Sequence, residues 1–228
     1  MLFAFLVYDT TIDLTLVLRI VVGVVSTCLI ASANYVINEY LDAEFDRYHP
    51  EKRKRTAVVS VLNPLYVYSE YFFLVAIGLT LSYFISLEFL ALEVFLLFMG
   101  VMYNVRPFRT KERVYLDVLS ESVNNPIRLA LGWFIFVPSH LLPESLLDPS
   151  WVIIPPSSII LAYWMGGAFL MATKRFAEYR FINNPELAGL YRKSFKYYTE
   201  NSLLISMFFY ALTSAFFLGI FLIKNRIE

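Results

Sequence analysis

The sequence has few residues that form disulfide bonds or bind zinc: it contains one cysteine and two histidines among 228 residues. Cys28 alone excludes a disulfide bond within the chain, and its position inside an apolar run is typical of a small packing residue. No second histidine lies near His49 to suggest a zinc site. The 19 basic residues balance the 19 acidic ones, so no net positive charge attracts nucleic acid. A disulfide framework, a zinc site and a nucleic-acid partner are therefore not expected.

The first eleven residues also lack a targeting signal. The segment MLFAFLVYDTT has no basic n-region and no small-residue cleavage site, and it is too short to span a bilayer. We therefore expect it to be the end of a helix that begins outside this chain.

Apolar residues dominate what is present. The chain is 58% hydrophobic and 18% aromatic, with a mean hydropathy of +0.60. This exceeds the apolar content of soluble domains, and the long apolar runs predict membrane helices of roughly 20 residues each. We expect an all-α, polytopic transmembrane bundle forming a single domain over residues 1–228. Its predicted spans lie near residues 14–37, 65–85, 87–105, 116–137, 151–173 and 203–223.

Charge asymmetry predicts the orientation of these spans. Three loops are rich in lysine and arginine, at 47–55, 106–113 and 174–196, whereas the turn at 86–88 and the segment 139–150 contain neither residue. Six alternating spans place all three basic loops on one side, and the positive-inside rule makes that side cytoplasmic. The sequence therefore predicts an integral membrane protein whose polar loops face the cytoplasm.

The first polar constellation lies where the first apolar run ends. Asn38, Asp42 and Asp46 are spaced four apart, so they share one face of a helix, and a basic cluster at 52–55 follows. Carboxylates at this spacing repel each other unless a cation lies between them. Oxygen ligands suit Mg²⁺, which bridges one or two carboxylates to substrate phosphates. We interpret this stripe as a Mg²⁺-diphosphate site; a solvated helix end is the alternative.

A second acidic stripe lies in the fourth predicted span. Asp117 and Glu121 are four apart, and Asn124 and Arg128 continue the same face. Arg128 lies roughly 16 Å beyond Asp117 along a helix, and a charge at that depth is costly if it faces lipid. Arg128 must therefore face a wet cavity or a partner, and a salt bridge with a neighbouring helix is the alternative. Pro126 removes one helical hydrogen bond and predicts a kink.

The third basic loop starts at Lys174, where Glu178 lies four residues away and could orient the lysine toward phosphate. The alternative for Lys174 is interfacial snorkelling. We expect the later cations of this loop to face anionic headgroups. These later cations are Arg192, Lys193 and Lys196.

These motifs resemble the UbiA superfamily of intramembrane prenyltransferases. Segment 38–55 resembles the first aspartate-rich motif of that family, with Glu39 in place of the usual Asp and Thr56 in place of the usual Pro. The loop 103–111 (YNVRPFRTK) resembles the YSxPPxRxK-like loop that precedes the second motif, which Asp117 and Glu121 resemble in turn. Segments 49–53 and 174–178 are most similar to the branch that transfers phosphoribose to a polyprenyl phosphate.

The resemblance implies a Mg²⁺-dependent transfer of a prenyl group from a polyprenyl diphosphate to a small acceptor within the membrane lipid. It implies catalytic carboxylates at Asp42, Asp46, Asp117 and Glu121, which with Asn38 would hold the metal. It also implies that Asn38, Lys52, Arg55, Arg128 and Lys174 bind the diphosphate. The family usually has nine transmembrane helices, so we expect terminal helices to be missing from this chain.

Two alternatives remain open at this stage. Within the family, the chain is a candidate for phosphoribosyl transfer from phosphoribose diphosphate to polyprenyl phosphate. From another class, a transporter or channel would use the buried charges as an ion path. Such a path is expected to carry charges near the midplane and on both sides, whereas the acidic stripes here lie at one side, which favours the enzyme.

Overall fold

A computed structural model describes residues 12–60, 62–136 and 154–224. This part of the chain is helical and contains no strand, which confirms the all-α prediction. Short 3-10 helices occupy Lys52–Lys54, Thr110–Glu112 and Lys193–Lys196. The α-helices are α1 (Leu14–Asp46), α2 (Thr56–Val59), α3 (Pro64–Tyr83), α4 (Leu87–Asn104), α5 (Leu116–Ser122), α6 (Asn124–Phe134), α7 (Ser157–Ile182), α8 (Pro185–Tyr191) and α9 (Glu200–Lys224).

Four of the described helices, α1, α3, α4 and α9, are long and apolar enough to cross a membrane. α1 continues nine residues past the predicted span, so its polar end is part of the same helix. α7 begins at Ser157 and continues past the predicted end at residue 173. The first residues of that predicted span, and the segment 139–150 with His140, lie outside the described residues.

The fourth predicted span contains the predicted kink, because α5 ends at Ser122, α6 begins at Asn124, and Val123 between them keeps helical dihedrals. Pro126 has no N–H, so it cannot donate the helical bond to the carbonyl of Ser122. The Asn125 side-chain amide donates to that carbonyl instead, over 3.2 Å. The Ser122 carbonyl therefore keeps a hydrogen-bond donor, as a backbone group in the low-dielectric interior of a membrane bundle needs.

Helix starts follow from polar residues that precede the apolar runs. Asp13 accepts a hydrogen bond from the Leu16 amide at the start of α1, and Asn63 caps α3 just before Pro64. Ser86 accepts from the Phe89 amide in the same way at the start of α4. These side chains satisfy amides that have no partner within a helix. Because Ser86 starts α4 only three residues after α3 ends, the turn at 84–86 is short and α3 and α4 lie side by side.

Small and polar residues join the first three long helices. Gly78 lets α3 approach α1 closely, since a Cβ there would lie 2.7 Å from the Ile30 side chain. Beside it, the hydroxyls of Ser26 and Ser82 are hydrogen-bonded at 2.7 Å. Such contacts replace the hydrophobic effect in lipid, where packing and hydrogen bonding drive helix association. α7 and α9 form the second long pair, and α4 and α5–α6 lie between the pairs.

The loop after α1 is organised by His49. Its Nδ1 accepts hydrogen bonds from the backbone amides of Glu51 and Lys52, at 3.1 and 3.2 Å, and its ring packs edge-on against Tyr191. Accepting at Nδ1 requires the neutral ring, and burial lowers the pKa of His49, assisted by the charge of Lys52. The loop therefore depends on a neutral histidine rather than on exposed polar groups.

We expect acidification below about pH 6.5 to destabilise this loop. Because the folded pKa lies below the unfolded one, the contribution of His49 is complete above the unfolded pKa and is lost as the pH falls. Thermal unfolding between pH 7.5 and 5 should therefore show a steeper loss of Tm in the wild type than in His49→Asn, whose amide oxygen accepts without titrating. Identical pH profiles would contradict this role.

Candidate functional site

The polar end of α1 meets a buried lysine from another loop. Asp42 Oδ1 lies 2.5 Å from Lys111 Nζ and 2.9 Å from Arg109 Nη2. Lys111, only 4% exposed, also donates to Asn38 Oδ1 at 3.1 Å and to Asn104 Oδ1 at 2.7 Å. Burial lowers the pKa of Lys111 to about 8, although the Asp42 charge opposes this shift. Asn38 and Asp42, both predicted site residues, thus contact the same cation, Lys111, which was not among the predicted site residues.

The local backbone explains how the loop delivers these cations. Arg109 has a φ of 32°, in the left-handed region that a non-glycine residue rarely adopts. Its guanidinium donates to the Asn104 carbonyl at 3.1 Å and its Nε lies 2.7 Å from Glu112 Oε1. These partners hold the turn in its conformation. Arg109 and Lys111 both lie in the 103–111 segment, whose resemblance to the family's basic loop was the sequence feature that could have identified them.

The remaining first-stripe residues are paired with the basic cluster. Asp46 is buried and accepts from Arg55 Nη1 at 2.9 Å. Lys52 reaches across to Glu178 Oε1 at 3.1 Å and contacts the Tyr191 hydroxyl. The predicted cations therefore do lie beside the acidic stripe, but each already has a carboxylate partner.

The second acidic stripe converges on Arg175, which is 1% exposed. Its guanidinium contacts Glu121, lies 3.2 Å from Glu178 and 3.5 Å from Asp117. Tyr103 also accepts from it at 3.1 Å. One arginine thus contacts three carboxylates from two helices, an arrangement that a single sequence motif cannot reveal.

Asp117 is fully buried and bonded on both oxygens. Ser194 donates to Oδ2 at 3.0 Å and Tyr198 donates to Oδ1 at 2.7 Å. These partners come from the loop that begins near residue 192, so Asp117 ties that loop to α5. The metal-binding role predicted for Asp117 stays a prediction.

Two expectations for the third basic loop need revision. Lys174 is half exposed and 3.8 Å from Glu121, whereas its neighbour Arg175 forms the close contacts. Arg192 does not point toward headgroups, because it donates to the Tyr103 hydroxyl at 3.4 Å and lines the space beside Asp42. Its sequence position next to a helix end gave no signal for this, since the approach depends on how the loop folds back.

A cavity of about 110 Å³ opens between α1, α4 and the α5–α6 pair. Arg128 lines it and forms no ion pair with any described residue, so the structure does not support the salt-bridge alternative. The amide oxygens of Asn34 and Asn124 are buried and find no hydrogen-bond partner within the described ranges. The other polar residues that line the cavity are Tyr35, Asn38, Tyr103, Asn104 and Glu121.

The donor chemistry of this end of the bundle fits a hard cation. Carboxylate and amide oxygens are the ligands of Mg²⁺, and the ion takes one or two carboxylates and completes its shell with phosphate and water. Within the described residues, no three carboxylates, histidines or cysteines are grouped closely enough to share one ion. A metal here would therefore need oxygens from a bound ligand, as expected for Mg²⁺-diphosphate.

Comparisons with known proteins decide the family. The model of the UbiA prenyltransferase family matches residues 1–225. The chain belongs to this family. A curated relative, the decaprenyl-phosphate phosphoribosyltransferase of Mycolicibacterium smegmatis, is 27% identical over 185 residues, or 81% of this UbiA chain and 52% of the relative. The chain thus spans about half the length of that relative.

Two solved structures of a UbiA homolog from Archaeoglobus fulgidus share the fold. The one bound to DMAPP and Mg²⁺ has a TM-score of 0.68 and 17% identity, covering 91% of this chain and 66% of that one. The one bound to GPP and Mg²⁺ has a TM-score of 0.70 and 17% identity, covering 93% and 68%. The predicted UbiA-type transmembrane bundle is confirmed, and the family and its apolar helices make this chain an integral membrane protein.

Proposed function

We propose that this UbiA chain carries a Mg²⁺-dependent transferase site that cleaves a diphosphate donor and passes its prenyl group to an acceptor within the membrane. The observation that carries the proposal is the convergence of both acidic stripes and all three basic loops at one end of the bundle. The structures of a UbiA homolog bound to Mg²⁺ with DMAPP or GPP support the same chemistry. The site would face the cytoplasm, as the loop charges predict.

The polar residues would divide into metal ligands and phosphate contacts. Mg²⁺, when bound, would neutralise the charge that develops on the leaving diphosphate. Asn38 and Glu121 line the cavity, and Asp42 lies beside it, joined to Asn38 through Lys111; these three are the ligands that the geometry supports best. Asp46 and Asp117 belong to the proposed ligand set only if they exchange their present partners, Arg55 for Asp46 and the hydroxyls of Ser194 and Tyr198 for Asp117. The proposed phosphate contacts are Lys52, Arg55, Arg128 and Lys174.

Ligand binding requires the existing ion pairs to exchange partners. Lys111 and Arg109 neutralise Asp42 in this structure, and Arg175 neutralises Glu121. A Mg²⁺-diphosphate brings both a cation for the carboxylates and an anion for the lysine and arginines. Each group that loses its present partner thus gains one of opposite charge, which limits the electrostatic cost of loading the site.

Phosphoribosyl transfer to a polyprenyl phosphate is the second candidate, and the cavity lining favours it. Leu96 and Met99 give the cavity apolar walls, but Asn124 and Arg128 add hydrogen-bonding groups that a prenyl chain does not need. The Asn124 amide and the Arg128 guanidinium, which line the cavity, would contact the hydroxyls and phosphates of such a donor. The mycobacterial relative is named for this reaction.

The deciding experiment supplies each donor separately to the chain in lipid nanodiscs, with and without Mg²⁺. The donors are labelled prenyl diphosphates and phosphoribosyl diphosphate; the acceptors are small aromatic compounds and polyprenyl phosphate, and lipid extracts reveal the product. Label in a lipid product that requires Mg²⁺ supports the proposed function, and the donor used identifies the reaction. No transfer from either donor, together with no binding of Mg²⁺-diphosphate, would overturn it.

Asn124→Ala should separate the two donors, because it removes an amide that lines the cavity. We expect a loss of about tenfold in binding of phosphoribosyl diphosphate, as for one lost hydrogen bond, and little change for prenyl diphosphate. Asn201→Ala is the matched control, since Asn201 is exposed on α9 and does not line the cavity. Equal losses in both variants would argue against hydroxyl recognition at Asn124.

Arg128→Lys should weaken diphosphate binding while leaving apo stability unchanged. The lysine keeps the charge but loses the planar fork that grips two oxygens. Arg128→Ala should also leave the apo Tm nearly unchanged, because Arg128 has no ion-pair partner among the described residues. Thermal unfolding with and without Mg²⁺-diphosphate measures both effects. A large destabilisation of apo Arg128→Ala would assign the arginine to the scaffold.

A further inference from the structure

A second concave surface, which we call the basic concavity, lies outside the Asp42 cluster. It has a volume of about 680 Å³ and combines five cationic side chains with one carboxylate, between the loops at 106–113 and 193–197. Phe108 and Tyr197 form an exposed aromatic rim. A surface with this excess of positive charge attracts polyanions and holds them weakly while they remain hydrated.

Three of its cations have no partner within the part of the chain that the structure describes. Arg106, Arg113 and Lys196 are exposed and form no ion pair there. This distinguishes them from Asp42-bound Lys111 and from the buried Arg175, which are each neutralised. Positioning three like charges around one hollow costs free energy, and an incoming anion relieves that repulsion.

The basic concavity shares a wall with the space beside Asp42 and Asp46. Arg109, Glu112 and Lys193 line both. Glu112 is the centre of this wall, since its carboxylate lies 2.7 Å from Arg109 Nε and 2.8 Å from Lys193 Nζ. An anion in the concavity would compete with Glu112 for both cations, and Arg109 also holds Asp42 at 2.9 Å. The wall therefore connects the surface to the proposed metal site through one shared arginine.

We propose that the basic concavity binds the diphosphate of a water-soluble donor and forms its route from the aqueous phase to Asp42. This rests on the proposed function, because it assigns the inner site to diphosphate chemistry. Exposed aromatic residues are also typical of membrane interfaces, where an anionic lipid headgroup would offer the same phosphate group to these cations. The shared wall favours the soluble source, since a donor that reaches Asp42 from lipid would not need to pass Arg109 and Glu112. A soluble donor in turn favours the phosphoribosyl candidate.

The test compares two variants of equal net charge in nanodiscs, with inorganic diphosphate and Mg²⁺ as the probe. Arg106→Gln/Arg113→Gln/Lys196→Gln removes the unpaired cations of the concavity. Arg47→Gln/Arg180→Gln/Lys224→Gln is the control, because those exposed cations line neither space. Stopped-flow association should slow about tenfold in the first variant at low salt, converge with wild type near 0.5 M salt, and change less than about twofold in the control.

A second arm distinguishes the lipid source. Nanodiscs of phosphatidylcholine alone and with phosphatidylglycerol are compared for thermal stability. If the concavity variant binds diphosphate at the wild-type rate but loses stabilisation by phosphatidylglycerol, the concavity is a headgroup site and the proposal is overturned. Unchanged diphosphate association at low salt overturns it as well. Should the triple variant fail to fold, the single exchanges Arg113→Gln and Lys196→Gln are measured, each expected to slow association about twofold.

The outcome also separates this inference from the proposed function. If wild type does not bind Mg²⁺-diphosphate at all, both fail. If wild type binds it and Asp42→Asn abolishes binding while the concavity variant has no effect, the inner site is supported and only the route is wrong.

Discussion

Arg175→Ala should lower the free energy of unfolding by about 3–5 kcal/mol, because it strands buried carboxylates that now share one guanidinium. Arg175 is 1% exposed and contacts Asp117, Glu121 and Glu178. Lys52 still contacts Glu178 and Lys174 lies near Glu121, but among the described residues the fully buried Asp117 has no other ion-pair partner. For a chain of this length, such a loss corresponds to a decrease in Tm of very roughly 6–20 °C.

Lys174→Ala is the matched control on the adjacent position. Lys174 is 50% exposed and lies 3.8 Å from Glu121, so its loss should cost less than about 1 kcal/mol. Thermal or denaturant unfolding in the same detergent, without ligand, measures both variants. If Lys174→Ala proves equally destabilising, or Arg175→Ala is neutral, the buried network does not hold α5 to α7 as described.

Asp42→Asn should reduce turnover by about 10²–10³-fold, the effect of removing one electrostatic stabiliser of the transition state. The asparagine keeps the shape of the side chain but loses the charge that Mg²⁺ needs. Glu44→Gln is the control, because Glu44 is an exposed acid two residues away on α1. Turnover is measured over a range of Mg²⁺ concentrations with whichever donor gives a lipid product in the nanodisc experiment. Wild-type activity in Asp42→Asn would refute the proposed metal site.

For the stability of the apo protein, the sequence and the structure predict opposite effects of Asp42→Asn. From sequence, Asp42 and Asp46 repel each other, and removing one predicts a more stable apo protein. In the structure each carboxylate has its own cations: Lys111 and Arg109 for Asp42, and Arg55 for Asp46. Asp42→Asn should therefore lower the apo Tm, since it leaves Lys111 with neutral acceptors only. An increase in Tm would show that repulsion dominates.

Much of the fold follows from local patterns. Helix starts at Asp13, Asn63 and Ser86 are visible because a polar capping residue precedes an apolar run. The position of the acidic stripe on α1 follows from its four-residue spacing alone. The kink within 116–137 was visible in Pro126, but the sequence did not show which group would satisfy the freed Ser122 carbonyl, which the Asn125 amide does.

The sequence by itself determined that this chain is a helical membrane protein of the UbiA family, with acidic stripes at helix ends and basic loops beside them. Those properties depend on composition and on spacing within one helix, which the chain carries locally. Only the tertiary structure decided which cation neutralises which carboxylate. Lys111 meets Asp42 across 69 residues, and Arg175 meets Glu121 across 54. Long-range pairs of this kind depend on how helices pack and loops fold back. Arg175 and Lys174 carry the same charge in adjacent positions, and only the burial of Arg175 shows that it is the one in close contact with Glu121.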